Sequence, residues 1–411
     1  MQIKEISTTL FDNFANNHPL GSFYQSSSYA LVMAELGYDY DYIGYVDSND
    51  KIVAASLIMH KKIGFFSRYG CAPKGFLIDY NNTELLQNFT KDLIEYYRSK
   101  KFSFIKINPE IAIGEIIKKT DKYEIKYNKN CTIANTLETT GYKPLKRNLF
   151  FESTLPRFNA ILCLKKYDIK NICKHARNKV TKGITKGLEL EFAGREGIDI
   201  PYDFIKGKTK NSLLYYKDLF NVFDKNSMID VILVKVNYDK FIIESKLIYE
   251  KELTKNAELT EKISVDCSKE AINSKMQSDR NLIAYKDNMA IATKGSLANL
   301  HEVYVAGALV IKYQNRVHII ASGYDNKYAK FSPNYFLHKM IFDYYKDTYD
   351  FADLNGFTGD FSKESPYYGL NKFKESWRPK LFEYIGEFDL IINPGAYSKL
   401  EIMGTLSKEF K

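Results

Sequence analysis

Between Tyr238 and Lys294 the chain carries neither a proline nor a glycine. Ile242, Tyr249, Asn256 and Ile263 recur every seven residues, with Leu253 between them. Ile272, Met276, Ile283 and Ala290 follow the same period beyond a polar bend at Asp266 to Ser268. An apolar seven-residue repeat without a helix breaker hides its stripe by pairing helices, so residues 238–294 are expected to form an antiparallel coiled-coil hairpin. Each arm of about 25 residues would reach roughly 38 Å. Strand-like runs lie on both sides of this segment, so it must be an insertion, and the rest of the chain has to close around its base.

The flanking sequence reads as alternating strands and helices. Asp41 to Val46 and Lys51 to Ile58 are β-rich runs joined by the turn Asp47-Ser48-Asn49-Asp50. Thr83 to Lys101 places Leu86, Phe89, Leu93, Tyr96 and Tyr97 at helical spacing, and Phe102 to Ile107 then reads as a buried strand. From Asn159 the plan repeats. It has a helix at Lys166 to Lys186, strands at Leu188 to Phe192, Met228 to Val236, Ala306 to Tyr313 and Arg316 to Ser322, a helix at Asn334 to Asp347 and a strand at Tyr349 to Leu354. A chain of 411 residues exceeds one core. The expectation is an α/β (α+β) fold of two tandem modules of the acetyltransferase (GNAT) kind. Residues 1–158, completed by 388–411, form the first module, and residues 159–387 form the second, which carries the hairpin.

The formal net charge is +9, which suits an anionic partner, either RNA phosphates or an acidic membrane face. No stretch approaches the roughly 18 apolar residues that span a bilayer, and the start lacks a signal-peptide core, so a cytoplasmic protein is expected. Five irregularly spaced cysteines read as reduced thiols. Cys163, Cys173 and His175 lie close in sequence, but no second ligand pair with zinc spacing accompanies them, and no metal site is expected.

On the helix expected from Lys165 to Lys186, Lys166, Lys170, Lys174 and Arg177 form one basic row. Lys179, Lys182 and Lys186 form another, and Gly187 stops the helix. Such rows repel themselves until phosphates neutralise them. An acyl-CoA acetyltransferase needs a Gln/Arg-x-x-Gly-x-Gly/Ala turn for the pyrophosphate. Here the chain passes from Ser322-Gly323-Tyr324-Asp325 to Ser332-Pro333-Asn334-Tyr335 without one. Walker, His-Glu-x-x-His and Gly-x-Ser-x-Gly motifs are absent as well, and no cofactor is implied.

The last fifth of the chain holds Ser365-Pro366-Tyr367-Tyr368-Gly369-Leu370-Asn371-Lys372-Phe373-Lys374-Glu375-Ser376-Trp377, then Gly386-Glu387-Phe388. A lysine among aromatics is desolvated, which shifts its pKa and strengthens its contact with an anion. This stretch resembles the closing signature of the FemABX family of non-ribosomal peptidyl (aminoacyl) transferases. Phe23-Tyr24-Gln25-Ser26 to Gly37-Tyr38, Ala72-Pro73-Lys74-Gly75-Phe76-Leu77-Ile78-Asp79-Tyr80, Phe104 to Glu110, Leu214-Tyr215-Tyr216 and Ser332 to Tyr335 are similar to further family motifs in order. So is the basic segment from Ala176 to Glu189, and the hairpin is similar to that of FemA/MurM-type members.

The resemblance implies transfer of an amino acid from aminoacyl-tRNA to the stem peptide of a peptidoglycan precursor, lipid II or UDP-MurNAc-pentapeptide. It also implies contact with the anionic membrane face, and contact with related transferases through the hairpin. It gives Lys374 and Phe373 to the tRNA acceptor end and Glu387 to the neighbourhood of the peptide amine. Lys74, Lys106, Asn108, Tyr215, Tyr216 and Asn334 are candidate precursor contacts, and Lys166, Lys170, Lys174 and Arg177 are candidate tRNA contacts. Three positions depart from the family pattern. Met33 stands where some relatives have a phosphate-binding lysine, Asn108 where the family has an aspartate, and Tyr29 where the opening motif has tryptophan. Transfer to a protein N-terminus or another envelope polymer, or a non-catalytic RNA-binding scaffold, remain the alternative readings.

Overall fold

The computed structural model describes the whole chain except residues 64–66, 121, 152–153, 299 and 405–411. The last of these gaps takes in part of the segment expected to complete the first module. One sheet has seven strands in the order β1 (Gln2–Glu5), β2 (Asp39–Val46), β3 (Ile52–Ile63), β4 (Ser67–Lys74), β5 (Phe102–Pro109), β16 (Phe388–Ile391) and β8 (Tyr142–Pro144). The other has nine, in the order β10 (Leu188–Ala193), β11 (Ile229–Asn237), β12 (Glu302–Tyr313), β13 (Arg316–Tyr324), β14 (Phe351–Gly356), β9 (Phe158–Cys163), β15 (Lys380–Tyr384), β6 (Ala112–Lys119) and β7 (Lys122–Tyr127).

Each sheet contains a parallel pair bridged by a helix: β4 and β5 across Thr83–Ser99, β13 and β14 across Pro333–Tyr345. The plan is thus repeated, but the sheets do not divide between residues 158 and 159. β6 and β7 lie early in the chain yet pair into the second sheet through β15, while β16 sits between β5 and β8 in the first.

The sheets face one another across a core that includes Leu57 and Met59 from β3 and Val231, Leu233 and Leu309 from β11 and β12. The opening Gln-Ser motif pins this junction. Gln25 is fully buried; its amide donates to Pro73 O (2.9 Å) and its Oε1 accepts from Leu57 N (2.9 Å). Ser26 then caps the helix Ser27–Glu35 by accepting from Tyr29 N.

Two helices, Tyr238–Val265 and Lys269–Leu297, form the inserted hairpin. Its seam differs from the expected one. Leu253, Ile272, Met276 and Ile283 are 42–66% exposed, while Glu252, Ala271, Ser278 and Ala292 are buried. Asn256 donates to Ser278 Oγ (3.1 Å) and Asp279 Oδ1 (2.9 Å), and Asn281 donates to Glu252 (3.4 Å). Small residues on the second arm let these polar groups meet, and a buried polar group without a partner is costly. Leu253 and the stripe Ile272, Met276 and Ile283 turn outward as a consequence.

At the base, Tyr238, Phe241 and Ala292 enter the core of the second sheet. A Cβ on Gly295 would lie 2.0 Å from the Tyr238 ring, so only glycine fits this approach. Replacing residues 246–287 by a short linker spares these contacts. It should cost under about 1 kcal/mol, which moves Tm by ~2–4 °C at most, as thermal denaturation can check.

Candidate functional site

The two parallel pairs end differently. β4 and β5 stay paired from Arg68 with Phe102 to Lys74 with Pro109. β13 and β14 pair only over Arg316–His318 with Phe351–Asp353 and then diverge, β13 running on to Tyr324 and β14 to Gly356. Asn355, at positive φ, spans the gap by donating to Ile320 O (3.4 Å). The second sheet is therefore open between these two strands beyond His318 and Asp353.

On the face toward the first sheet lies a cleft of about 420 Å³ whose lining includes Tyr24, Lys208, Lys210, Tyr215, Tyr216 and Asn355. Behind it is a small cavity lined by Lys74, Glu110, His318 and Asp353 among others. The charges there form a chain. Lys74 Nζ is 3.6 Å from Glu110 Oε2 and 4.7 Å from the centre of the Tyr384 ring. Arg316 donates to Glu110 Oε1. His318 Nδ1 is 3.5 Å from Asp353 Oδ2, and Asp353 Oδ1 also accepts from Asn355 N (2.7 Å). Burial pushes the Asp353 carboxyl up, but His318 and Arg316 outweigh it and hold the group at about 2. Burial likewise opposes ionisation of Glu110, and Lys74 and Arg316 prevail, so its pKa is lowered.

On the opposite face sits the closing signature. Phe373 packs edge-on to Tyr335 (5.0 Å) and His338 (4.8 Å), and Trp377 is 1% exposed against Phe342. Lys374, on the helix Tyr368–Glu375, is buried and donates to Gly356 O at the end of β14. Burial lowers its pKa to about 7, with Asp353 pulling weakly the other way. His338, buried beside it, is lowered by burial to about 4 and is therefore neutral at pH 7. A second cleft on this face, of about 770 Å³, is lined by Cys173, His175, Tyr335, Lys372, Phe373 and Arg378 among others.

The candidate residues thus fall into three places. Lys74, Tyr215 and Tyr216 line the inter-sheet cleft and its inner cavity. Asn108 lies beside them, but its Oδ1 accepts from Lys74 N (2.8 Å) and fixes that residue's left-handed backbone. Phe373, Lys374 and Asn334 belong to the opposite face; Asn334 O bonds His338 Nδ1. Lys106 and Glu387 are inside: Lys106 is 3.0 Å from Asp389, and Glu387 Oε1 accepts from Thr154 N (2.6 Å) at the cleft wall.

The basic row is only half helical. Lys174 and Arg177 start the helix Lys174–Ile184, whereas Lys166 lies in a short 3₁₀ turn and Lys170 in a turn closed by Asp168 Oδ1 (2.8 Å). Cys173 N bonds Ser376 O instead, so the helix begins late; it ends before Gly187, at positive φ. Among the described residues no cluster of His, Cys, Asp and Glu could hold a metal ion, and no helix is long and apolar enough to cross a membrane.

A family model described as the FemAB family matches residues 6–404. A Staphylococcus epidermidis protein named lipid II:glycine glycyltransferase is 26% identical, covering 98% of this chain and 95% of its own. The protein of that name from Staphylococcus aureus strain USA300 is 24% identical over the same shares. A crystal structure titled FemX superposes with a TM-score of 0.76 at 21% identity, covering 98% of this chain and 100% of that one.

Proposed function

The chain belongs to the FemAB family, and from that premise we propose that it transfers an amino acid from aminoacyl-tRNA to the stem-peptide amine of lipid II. That it is a transferase of the acyl or aminoacyl kind follows from its kinship with the glycyltransferases. The divergence of β13 and β14 is the observation that carries the finer reading, because the inter-sheet cleft reaches Ile320 and Asn355 there and Lys374 bonds Gly356 O at the end of β14.

The inter-sheet cleft suits the precursor. Lys208 and Lys210, just before the helix Leu213–Phe223, are the cations that take the place of the lysine missing at Met33, and they meet a diphosphate at a helix start. The opposite face suits the donor. Lys174 and Arg177 attract its phosphates, Phe373 and Tyr335 offer rings for stacking bases, and Lys374 stands at the opening. The helix after β13 begins with Pro333, which has no N–H to give a pyrophosphate, so coenzyme A is disfavoured.

In this reading the ester carbonyl enters the gap from the donor face and the amine meets it from the cleft. Lys374, with a pKa near neutrality, stabilises the developing oxyanion or gives the departing ribose oxygen its proton. Glu387 steadies Thr154 at the cleft wall. The protein works at the membrane face where lipid II lies.

Radiolabelled aminoacyl-tRNAs and lipid II should give labelled lipid II in a reaction abolished by ribonuclease. Label transfer from acetyl-CoA, or transfer indifferent to ribonuclease, overturns the proposal.

A further inference from the structure

With Asn108 in the place of the family's aspartate and its Oδ1 already bonded to Lys74 N, another group must receive the nucleophile's protons. The small cavity behind the cleft measures about 20 Å³, room for about one water-sized group. Two of its lining groups, Ser22 Oγ and Asn159 Oδ1, are buried and have no hydrogen-bond partner among the described residues. Unsatisfied buried acceptors of this kind call for a donor.

His318 lines the same cavity. Its Nδ1 is turned to Asp353, and its ring is held edge-on by Phe23 at 5.0 Å. That leaves Nε2, which has no hydrogen-bond partner among the described residues. An imidazole nitrogen is a common proton acceptor in catalysis, and the Asp353 carboxylate behind the ring holds its orientation.

We infer that this cavity seats the attacking primary amine, with His318 as its proton acceptor and Ser22 Oγ and Asn159 Oδ1 as the acceptors that orient it. Three acceptors match the three N–H bonds of an ammonium. The inference rests on the transfer reading above and supplies its missing base. A free lysine-type amine has a pKa near 10.4 and is neutral in only about one molecule in 10³ at pH 7. His318 takes the ammonium proton, and the neutral nitrogen attacks the ester carbonyl. The N–C bond forms and the C–O bond breaks with its electron pair on the ribose oxygen. That oxygen gains the second proton released by nitrogen, so an amide and a free hydroxyl leave, and the imidazolium returns its proton to water. The charged groups facing His318 are Asp353 from β14, Arg316 on its own strand, Glu110 after β5 and Lys74 from β4, with Lys374 beyond Asp353.

The test is single-turnover transfer from aminoacyl-tRNA to lipid II across pH 6 to 10. His318→Gln should lose about 10²- to 10³-fold at pH 7 with unchanged half-saturation by lipid II, and the deficit should shrink at high pH as free amine accumulates. Ser22→Ala, which removes only an unbonded hydroxyl and should fold normally, should slow transfer about fivefold to tenfold, within the reach of one lost hydrogen bond. If His318→Gln stays within threefold of wild type with the same pH profile, the seat is wrong although transfer stands. If His318→Gln fails to fold, Ser22→Ala decides, and wild-type rates there overturn the seat. A wild type that never transfers from aminoacyl-tRNA overturns the transfer reading and this inference with it.

Discussion

Lys374→Met should lower turnover by about 10²- to 10³-fold, the usual effect of removing one preorganised electrostatic contact from a transition state, and should raise the melting temperature at pH 6. The two effects share a cause. Burial lowers the ammonium pKa from 10.5 to about 7, and at ~1.36 kcal/mol per unit this is a penalty of about 5 kcal/mol for keeping the charged form inside. The unfolded chain binds the proton more tightly, so the penalty is complete below pH 7, fades as pH rises from 7 toward 10.5, and is absent above that. Methionine removes it but leaves Gly356 O without its donor, at a cost of about 1–3 kcal/mol. The variant should therefore melt above wild type at pH 6 and at or below it near pH 10. Single-turnover rates and scanning calorimetry at both pH values give the two readouts. Equal turnover would make Lys374 a packing residue. A variant less stable than wild type at pH 6 would show that the buried charge is compensated.

That lysine is readable from sequence because its neighbours in the chain are also its neighbours in space: Phe373 precedes it on the same short helix, and Trp377 follows in the turn just after that helix. One parallel pair is partly readable for a similar reason, since the helix expected at Asn334 to Asp347 lies between the strands expected at Arg316 to Ser322 and Tyr349 to Leu354, whereas β4 of the other pair is not among the expected strands. Information fails where partners are distant in sequence. Asn108 looks like a catalytic position that has lost its carboxylate, yet its amide oxygen is taken by Lys74 N, 34 residues away. His318 and Asp353 meet only through the three-residue parallel register of β13 and β14. Glu110 resembles an ordinary acid after a strand until β13 brings Arg316 to it.

Local competition explains the other differences. An Asp168 turn and the bond from Cys173 N to Ser376 O delay the basic helix until Lys174, a choice that helical periodicity in Lys166 to Lys186 cannot reveal. In the hairpin the apolar repeat of the second arm points outward, because Asn256 and Glu252 on the first arm need polar partners, and the Ser278 side of the second arm supplies them.

Glu110→Gln should destabilise the protein by about 3–5 kcal/mol, the range for removing one partner of a buried ion pair. Its carboxylate is the shared counter-charge of Lys74 and Arg316, and without it two cations are left close together between the sheets. Arg316 cannot escape by losing its proton, since a guanidinium stays charged at any accessible pH. A triple variant, Lys74→Met with Glu110→Gln and Arg316→Met, should recover most of the loss, because exchanging a whole buried ionic cluster for apolar groups is often neutral or stabilising. Urea denaturation of both variants checks this through the midpoint at constant slope. The contrast separates two reasons for these charges to be where they are. If the triple variant is as stable as wild type but fails to use lipid II, the charges at the opening serve substrate and not the fold. If it is as unstable as Glu110→Gln alone, they hold the two sheets together.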